Sequence, residues 1–173
     1  MKLKIVFTAC ALLVASLGVA SAADVKFSMD RKKLGQSSSR GAATSTESKD
    51  IIYTIVVESS AFKDLENVTV EYNIYYEVVQ PGSTGKPPVK TLSGKQTLER
   101  LASYKKVDFD TAPITMKETR LDGGWYWASG ADSQAKDRVV GSVIKAYNSE
   151  GKLLGEYVNP SGASTKFEWK KPR

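Results

Sequence analysis

Apolar and polar residues alternate along 67–80, which reads N-V-T-V-E-Y-N-I-Y-Y-E-V-V-Q. Val68, Val70, Tyr72, Ile74, Tyr76 and Val78 take every second position, and Thr69, Glu71, Asn73 and Glu77 fill most of the gaps. A period of two sends successive side chains to opposite faces, so the pattern predicts a strand with one buried and one wet face. At about 3.3 Å per residue this strand would run about 46 Å, well past the usual length of about 5–6 residues. It must bend or project beyond the body of the domain. Tyr75 and Val79 interrupt the polar face. They read either as cross-strand packing against the next strand or as an apolar patch left for another chain.

The rest of the chain supplies further strands. Val25, Phe27 and Met29 alternate with Lys26, Ser28 and Asp30, which predicts a first strand over 24–30. Segment 31–49 has no period, is rich in Ser, Thr, Gly and Ala, and carries Arg31, Lys32, Lys33, Arg40 and Lys49; it is expected to be a flexible basic loop. Segment 51–58 is apolar on both faces, as a central strand is. A single helical turn is expected over 62–66. The run 81–88 (P-G-S-T-G-K-P-P) cannot continue a ladder, and 89–98 returns as a hairpin partner. Strands follow over 105–111 and, beyond Pro113, over 114–121. Asp122-Gly123-Gly124 is a turn; Trp125-Tyr126-Trp127, if on a strand, would put the two Trp residues on one face and Tyr126 on the other. A polar loop over 128–137 leads to strands over 138–147 and 152–158, joined by Asn148-Ser149-Glu150-Gly151 as a hairpin. A last strand is expected over 165–170. No stretch carries a 3.6-residue period long enough for a major helix. About nine or ten short strands with turn signals between them define an all-β chain, an immunoglobulin-like two-sheet β-sandwich.

The first 22 residues stand apart. Lys2 and Lys4 precede an apolar run over 5–19, and Ala20-Ser21-Ala22 fits a signal-peptidase site. We expect 1–22 to be a cleaved signal peptide. A retained anchor is the alternative, but an apolar run of about 15 residues falls short of the roughly 20 needed to span a bilayer. Residues 23–173 then form a single domain without a transmembrane segment, located in the periplasm or at the cell surface. Cys10 is the only cysteine in the chain. Its loss with the leader means that no disulfide braces the domain, so the core must suffice. A chain of about 150 residues buries about 70% of its unfolded surface, which makes that feasible.

Composition narrows the chemistry further. The chain contains no His, and 23–173 contain no Cys. This removes His-dependent triads, thiol nucleophiles, His or thiolate zinc sites and haem ligation. No cofactor and no metal are expected. Asp108 and Asp110 would share one strand face, the minimum for a hydrolase carboxylate pair or a calcium site. The same spacing describes a solvated face opposite Val107 and Phe109, and no enzyme is expected. Lys and Arg total 25 against 19 Asp and Glu, a formal net charge of +6, of which Lys2 and Lys4 account for two. This mild excess suits contact with an anionic surface or glycan and predicts no nucleic-acid partner. Arg31, Lys32, Lys33 and Arg40 are the candidates for such a contact. Trp125, Tyr126 and Trp127, with Tyr75 and Val79, are the candidates for contact with a protein or a glycan, because exposed aromatics anchor partners and stack on sugar rings. Their alternative is to fill the space between sheets. Asn67-Val68-Thr69 fits a glycosylation sequon but lies at the start of a strand and carries no weight.

Tyr72-x-Ile74-x-Tyr76 on a long strand, Pro113-Ile114 after a strand, and Gly141-x-Val143-x-x-Ala146-Tyr147 leading into Gly151-Lys152-Leu153-Leu154 form a pattern. It resembles small exported bacterial proteins with one immunoglobulin-like or fibronectin-III-like domain, some of them associated with pilus-like or cell-envelope assemblies. The resemblance implies a non-catalytic structural or interaction role in assembly or adhesion, with an envelope or surface protein as partner. It carries no site residues with it. The alternative function is a carbohydrate-binding module built on surface aromatics.

Overall fold

The alternating segments become strands whose apolar faces meet in one core. The computed structural model describes residues 23–172, so the expected leader and Cys10 lie outside the described residues. The strands are β1 (Val25–Arg40), β2 (Thr44–Ser59), β3 (Leu65–Glu77), β4 (Val89–Leu101), β5 (Lys106–Asp110), β6 (Ile114–Leu121), β7 (Gln134–Lys136), β8 (Arg138–Tyr147) and β9 (Leu153–Asn159), followed by the short helix α1 (Ala163–Lys166). One sheet has the order β1-β2-β6-β7, with β5 also paired to β2; the other has the order β4-β3-β8-β9. All pairings are antiparallel. The two sheets pack as an immunoglobulin-like β-sandwich. Ile51, Tyr53, Ile55 and Val57 of β2 face Val68, Val70, Tyr72 and Ile74 of β3 across the core. Among the described residues, no helix is long and apolar enough to cross a membrane.

The expected inward face of β3 is the observed one, although the strand runs from Leu65 to Glu77, slightly earlier than its alternation suggests. Asn67 takes a left-handed φ of 51°, yet the register with β4 runs through it unshifted, from Leu65 opposite Leu101 to Val68 opposite Leu98. The hairpin between β8 and β9 is as expected. Gly151 sits at φ 80°, and Asn148 Oδ1 accepts from the Glu150 and Lys152 amides at 3.0 and 2.8 Å.

Segment 31–49 differs from expectation. It is a β-hairpin arm, not a loop: β1 runs on to Arg40 and β2 begins at Thr44, with Gln36 opposite Lys49, Ser38 opposite Glu47 and Arg40 opposite Ser45. The physical reason is that alternation marks burial rather than strand. Past the end of the core both faces of the arm are wet, so no periodic apolar set is needed. The backbone ladder still closes, because β2 has β1 on one side and β6 on the other.

Three smaller differences have similar causes. The polar segment 128–137 contains the strand β7, which adds only three residues to the edge of β6. Segment 62–66 is a bend leading into β3 rather than a helical turn. Segment 165–170 is not a strand: α1 and the extended residues after it cross the outer face of the second sheet as a strap.

Two devices close the sandwich. At Thr111, between β5 and β6, the side-chain hydroxyl accepts from the Tyr53 amide at 3.0 Å while the Thr111 amide donates to the Tyr53 carbonyl at 2.9 Å. The two short strands are thereby stitched onto β2 across the break at Pro113. On the opposite edge, β1 presses against β9 at Gly155, where a Cβ would stand 2.1 Å from the Val25 carbonyl oxygen.

Candidate functional site

The two outward apolar residues, Tyr75 of β3 and Val79 just beyond its end, are both engaged by the chain itself. Tyr75 is only 2% exposed. Its ring stacks on Phe167 of the strap, and its hydroxyl donates to the Glu168 carbonyl at 3.1 Å. Two residues along, Asn73 Nδ2 donates to the Lys170 carbonyl at 2.9 Å, and Lys145 Nζ lies 4.8 Å from the Trp169 ring centroid. The strap fits because β8 has a notch: a Cβ at Gly141 would lie 2.9 Å from Ala163 Cβ and 3.1 Å from Phe167 Cε2. Burial holds the Tyr75 phenol above its ordinary pKa. Tyr75 was expected to be a candidate contact residue; the chain's own C-terminal segment covers it. Val79 is half-buried, and its amide donates to Asp137 Oδ1 at 2.8 Å, while Asp137 Oδ2 accepts from the Lys117 amide at 2.9 Å. The Val79 backbone thereby belongs to the splice between the sheets.

The three consecutive aromatics divide their roles. They lie in the loop between β6 and β7, not on a strand, so the expected two-to-one split between faces does not occur. Trp127 is half-buried against the loop after β3, where a Cβ at Gly82 would stand 3.1 Å from its Cε3; Ser129 Oγ donates to the Gly82 carbonyl at 2.6 Å. None of the three enters the space between the sheets. With Trp127 as the anchor, Trp125 and Tyr126 are presented outward, 60% and 84% exposed.

The basic residues do not form one patch. The pairing register places Arg31, Lys33 and Arg40 opposite Tyr53, Ile51 and Ser45 on the core-side face, and Lys32 opposite Ile52 on the outer face. Lys32 lies 3.6 Å from Asp110, which also accepts from Thr54 Oγ1 at 2.5 Å. Asp110 is therefore engaged by its own sheet, and among the described residues no cluster of three acidic, His or Cys side chains is placed to hold a metal. Lys33 bonds to Gln36, which in turn bonds to Glu47. Arg40 reaches Asp122 at 3.5 Å, the Asp122 amide donates to the Ala43 carbonyl at 3.0 Å, and the Trp125 amide donates to the Asp122 carbonyl at 3.2 Å. The tip of the arm and the aromatic loop thus meet at Asp122, at one pole of the sandwich.

The opposite pole carries a second exposed aromatic pair that the sequence pattern did not flag. Phe62 is 91% exposed and meets Tyr104 edge-on with ring centroids 5.6 Å apart. Tyr104 holds a left-handed φ of 56°. The two loops are braced at Asp64, which accepts from the Ser103 amide at 2.9 Å and from Arg100 Nε at 2.8 Å. Those bonds hold the Asp64 carboxyl below its usual pKa, the Ser103 amide first and the Arg100 guanidinium second. A cavity of about 760 Å3 opens beside Phe62, floored by Ala61, Leu65 and Leu154. Single aromatics in short aperiodic segments give no sequence signal, which is why this pair escaped notice.

No protein-family model matches the chain, and no curated protein sequence matches it. Among solved structures the chain is similar to the X-ray structure of a Northeast Structural Genomics Consortium target, SoR45. The two are 7% identical with a TM-score of 0.38, over 85% of this chain and 94% of that one.

Proposed function

We propose that this protein is a non-catalytic interaction module, exported to the periplasm or cell surface, that binds an envelope or surface protein through the pole bearing Trp125 and Tyr126. The observation that carries this reading is the unequal treatment of its aromatics. Tyr75 is sealed by the strap and Trp127 is spent as an anchor, while Trp125 and Tyr126 stay uncovered next to Arg40. Trp, Tyr and Arg are the residue types that dominate binding energy at protein interfaces. Export is supported by the leader pattern over 1–22.

The test is affinity capture from the envelope fraction of the source organism, using residues 23–173 and a Trp125→Ala/Tyr126→Ala variant. The expected result is one protein, identified by mass spectrometry and confirmed with purified components, that the first captures and the variant does not. Equal capture by both would remove the aromatic pole as the contact. No confirmed partner would remove the reading itself. Exposed rings also stack on sugars, so saturable binding of a neutral oligosaccharide that depends on the same two rings would replace the protein partner with a glycan.

A further inference from the structure

The core-side face of the first sheet continues past the core. On β2 the buried series ends at Ile51 and gives way to Lys49, Glu47 and Ser45; on β6 it runs Ile114, Met116, and then Glu118 and Arg120. These polar positions align in ranks across the strands. One rank reads Arg40, Ser45, Arg120, and the next reads Ser38, Glu47, Glu118, Lys136. Two strand spacings separate Arg40 from Arg120, about 10 Å between backbones, with Ser45 midway. The ranks line a groove of about 470 Å3.

The groove's carboxylates are satisfied within the chain, and its free donors lie on the arginines. Glu118 is buried, and its Oε1 accepts from Arg120 Nε and from Gln134 Nε2, each at 2.7 Å, while Lys136 Nζ stands 3.3 Å from Oε2. Glu47 is met by Lys49 at 2.7 Å and by Gln36. Both carboxylates are therefore satisfied within the chain. The arginines are not: Arg120 spends Nε and Nη2 on Glu118, which leaves Nη1, and Arg40, 79% exposed, holds Asp122 Oδ2 with Nε and Nη2 at the outer limit of 3.5 Å each, which likewise leaves Nη1. The groove is left with guanidinium donors on either side of a serine hydroxyl, and Ser38 one rank away.

We infer that this groove binds a carboxylated saccharide, with Arg40 and Arg120 converging on the carboxylate above Ser45 and with the hydroxyls of Ser45 and Ser38 taking the ring hydroxyls. Two guanidiniums bracketing one point are suited to a carboxylate, which accepts paired N–H bonds. The adjacent side-chain hydroxyls match a ligand that carries alcohols beside its acid, which an acidic peptide does not. The groove shares Arg40 with the aromatic pole but uses neither Trp125 nor Tyr126, so it does not depend on the partner proposed there.

The experiment is an NMR titration of residues 23–173 with a galacturonic acid oligomer, its methyl ester and poly-glutamate. Saturable shifts at the Ser38, Ser45 and Arg120 amides are expected with the acid oligomer, with at least tenfold weaker binding for both the ester and poly-glutamate. Arg40→Gln, an exposed change that leaves Glu118 satisfied, is expected to weaken binding tenfold or more. Trp125→Ala/Tyr126→Ala is expected to bind like the parent. Absence of saturable shifts in the groove, equal binding of the ester or of poly-glutamate, parental affinity in Arg40→Gln, or loss of binding in the aromatic variant would each overturn the assignment.

Discussion

The rings of Tyr75 and Phe167 stack with centroids 4.7 Å apart and an interplanar angle of 19°. This contact ties the middle of β3 to the end of the chain and turns an exposed sheet face into a small second core with Val143 and Ala163. Phe167→Ala is expected to lower stability by about 2 kcal/mol, below the range for a fully buried Phe because the ring is only partly enclosed. Tyr75→Phe, which keeps the stack and loses the bond to the Glu168 carbonyl, should lower it by about 1 kcal/mol. Urea denaturation checks both, and an unchanged midpoint for Phe167→Ala would mean that the docked strap contributes nothing.

Closure of the sandwich between β1 and β9 rests on Gly155. A methyl group there would collide with the Val25 carbonyl, a backbone atom that cannot rotate away. Gly155→Ala should cost about 3 kcal/mol, at the upper end for overpacking. Gly123→Ala is the control, since nothing lies within 4 Å of its Cβ position; it should be neutral within about 0.5 kcal/mol. Equal thermal midpoints for the two variants would refute the steric account.

Acid should loosen the β6–β7 edge at Glu118. The Arg120 bonds, followed by Lys136, hold the Glu118 carboxyl below its ordinary pKa. A carboxyl depressed on folding stabilises the native state above its unfolded value of about 4.3, and that contribution fades as pH falls through the folded pKa. Stability measured from pH 6 to pH 3 should therefore decline, and Glu118→Gln should flatten the decline. A variant with the parent's full slope would assign the acid response to other groups, Asp64 first among them.

Alkali acts through the opposite sign. Burial raises the phenols of Tyr53, Tyr72, Tyr75 and Tyr147. Each keeps its stabilising protonated form below the unfolded value of about 10, and the contribution is lost as pH rises through the higher folded value. Tyr75→Phe should make the protein less sensitive to pH above about 10 than the parent, as followed by circular dichroism. An identical alkaline transition would show that the strap is not what fails there.

How much of this could be read from the sequence depends on where burial lies. Ile114 to Leu121 and Arg138 to Tyr147 were legible to the residue because each has one face in the core, and the turn at Gly151 announced itself by composition. The arm from Lys33 to Lys49 was not legible, because its strand pairing is carried by backbone groups common to every sequence. The site divided in the same way. Trp125 and Tyr126 stood out as a cluster, yet whether Tyr75 lay open or covered depended on a contact with Phe167, far along the chain, that no local pattern encodes.

Thr111 has a consequence beyond closing a gap. By answering the Tyr53 amide with a side chain, it lets β2 be fully paired while the strand beside it stays cut in two. That margin of the sheet is then divided among the five residues of β5, the eight of β6 and the three of β7, and the long margin at β1 carries Lys26, Asp30 and Lys32. Continuous, uncharged edges are the templates on which polypeptides stack into fibrils. In this sandwich of long strands, with no cysteine among its described residues to lock it, a single hydroxyl group lets one margin of a sheet be built from short pieces, while the margins at β1 and β4 stay long.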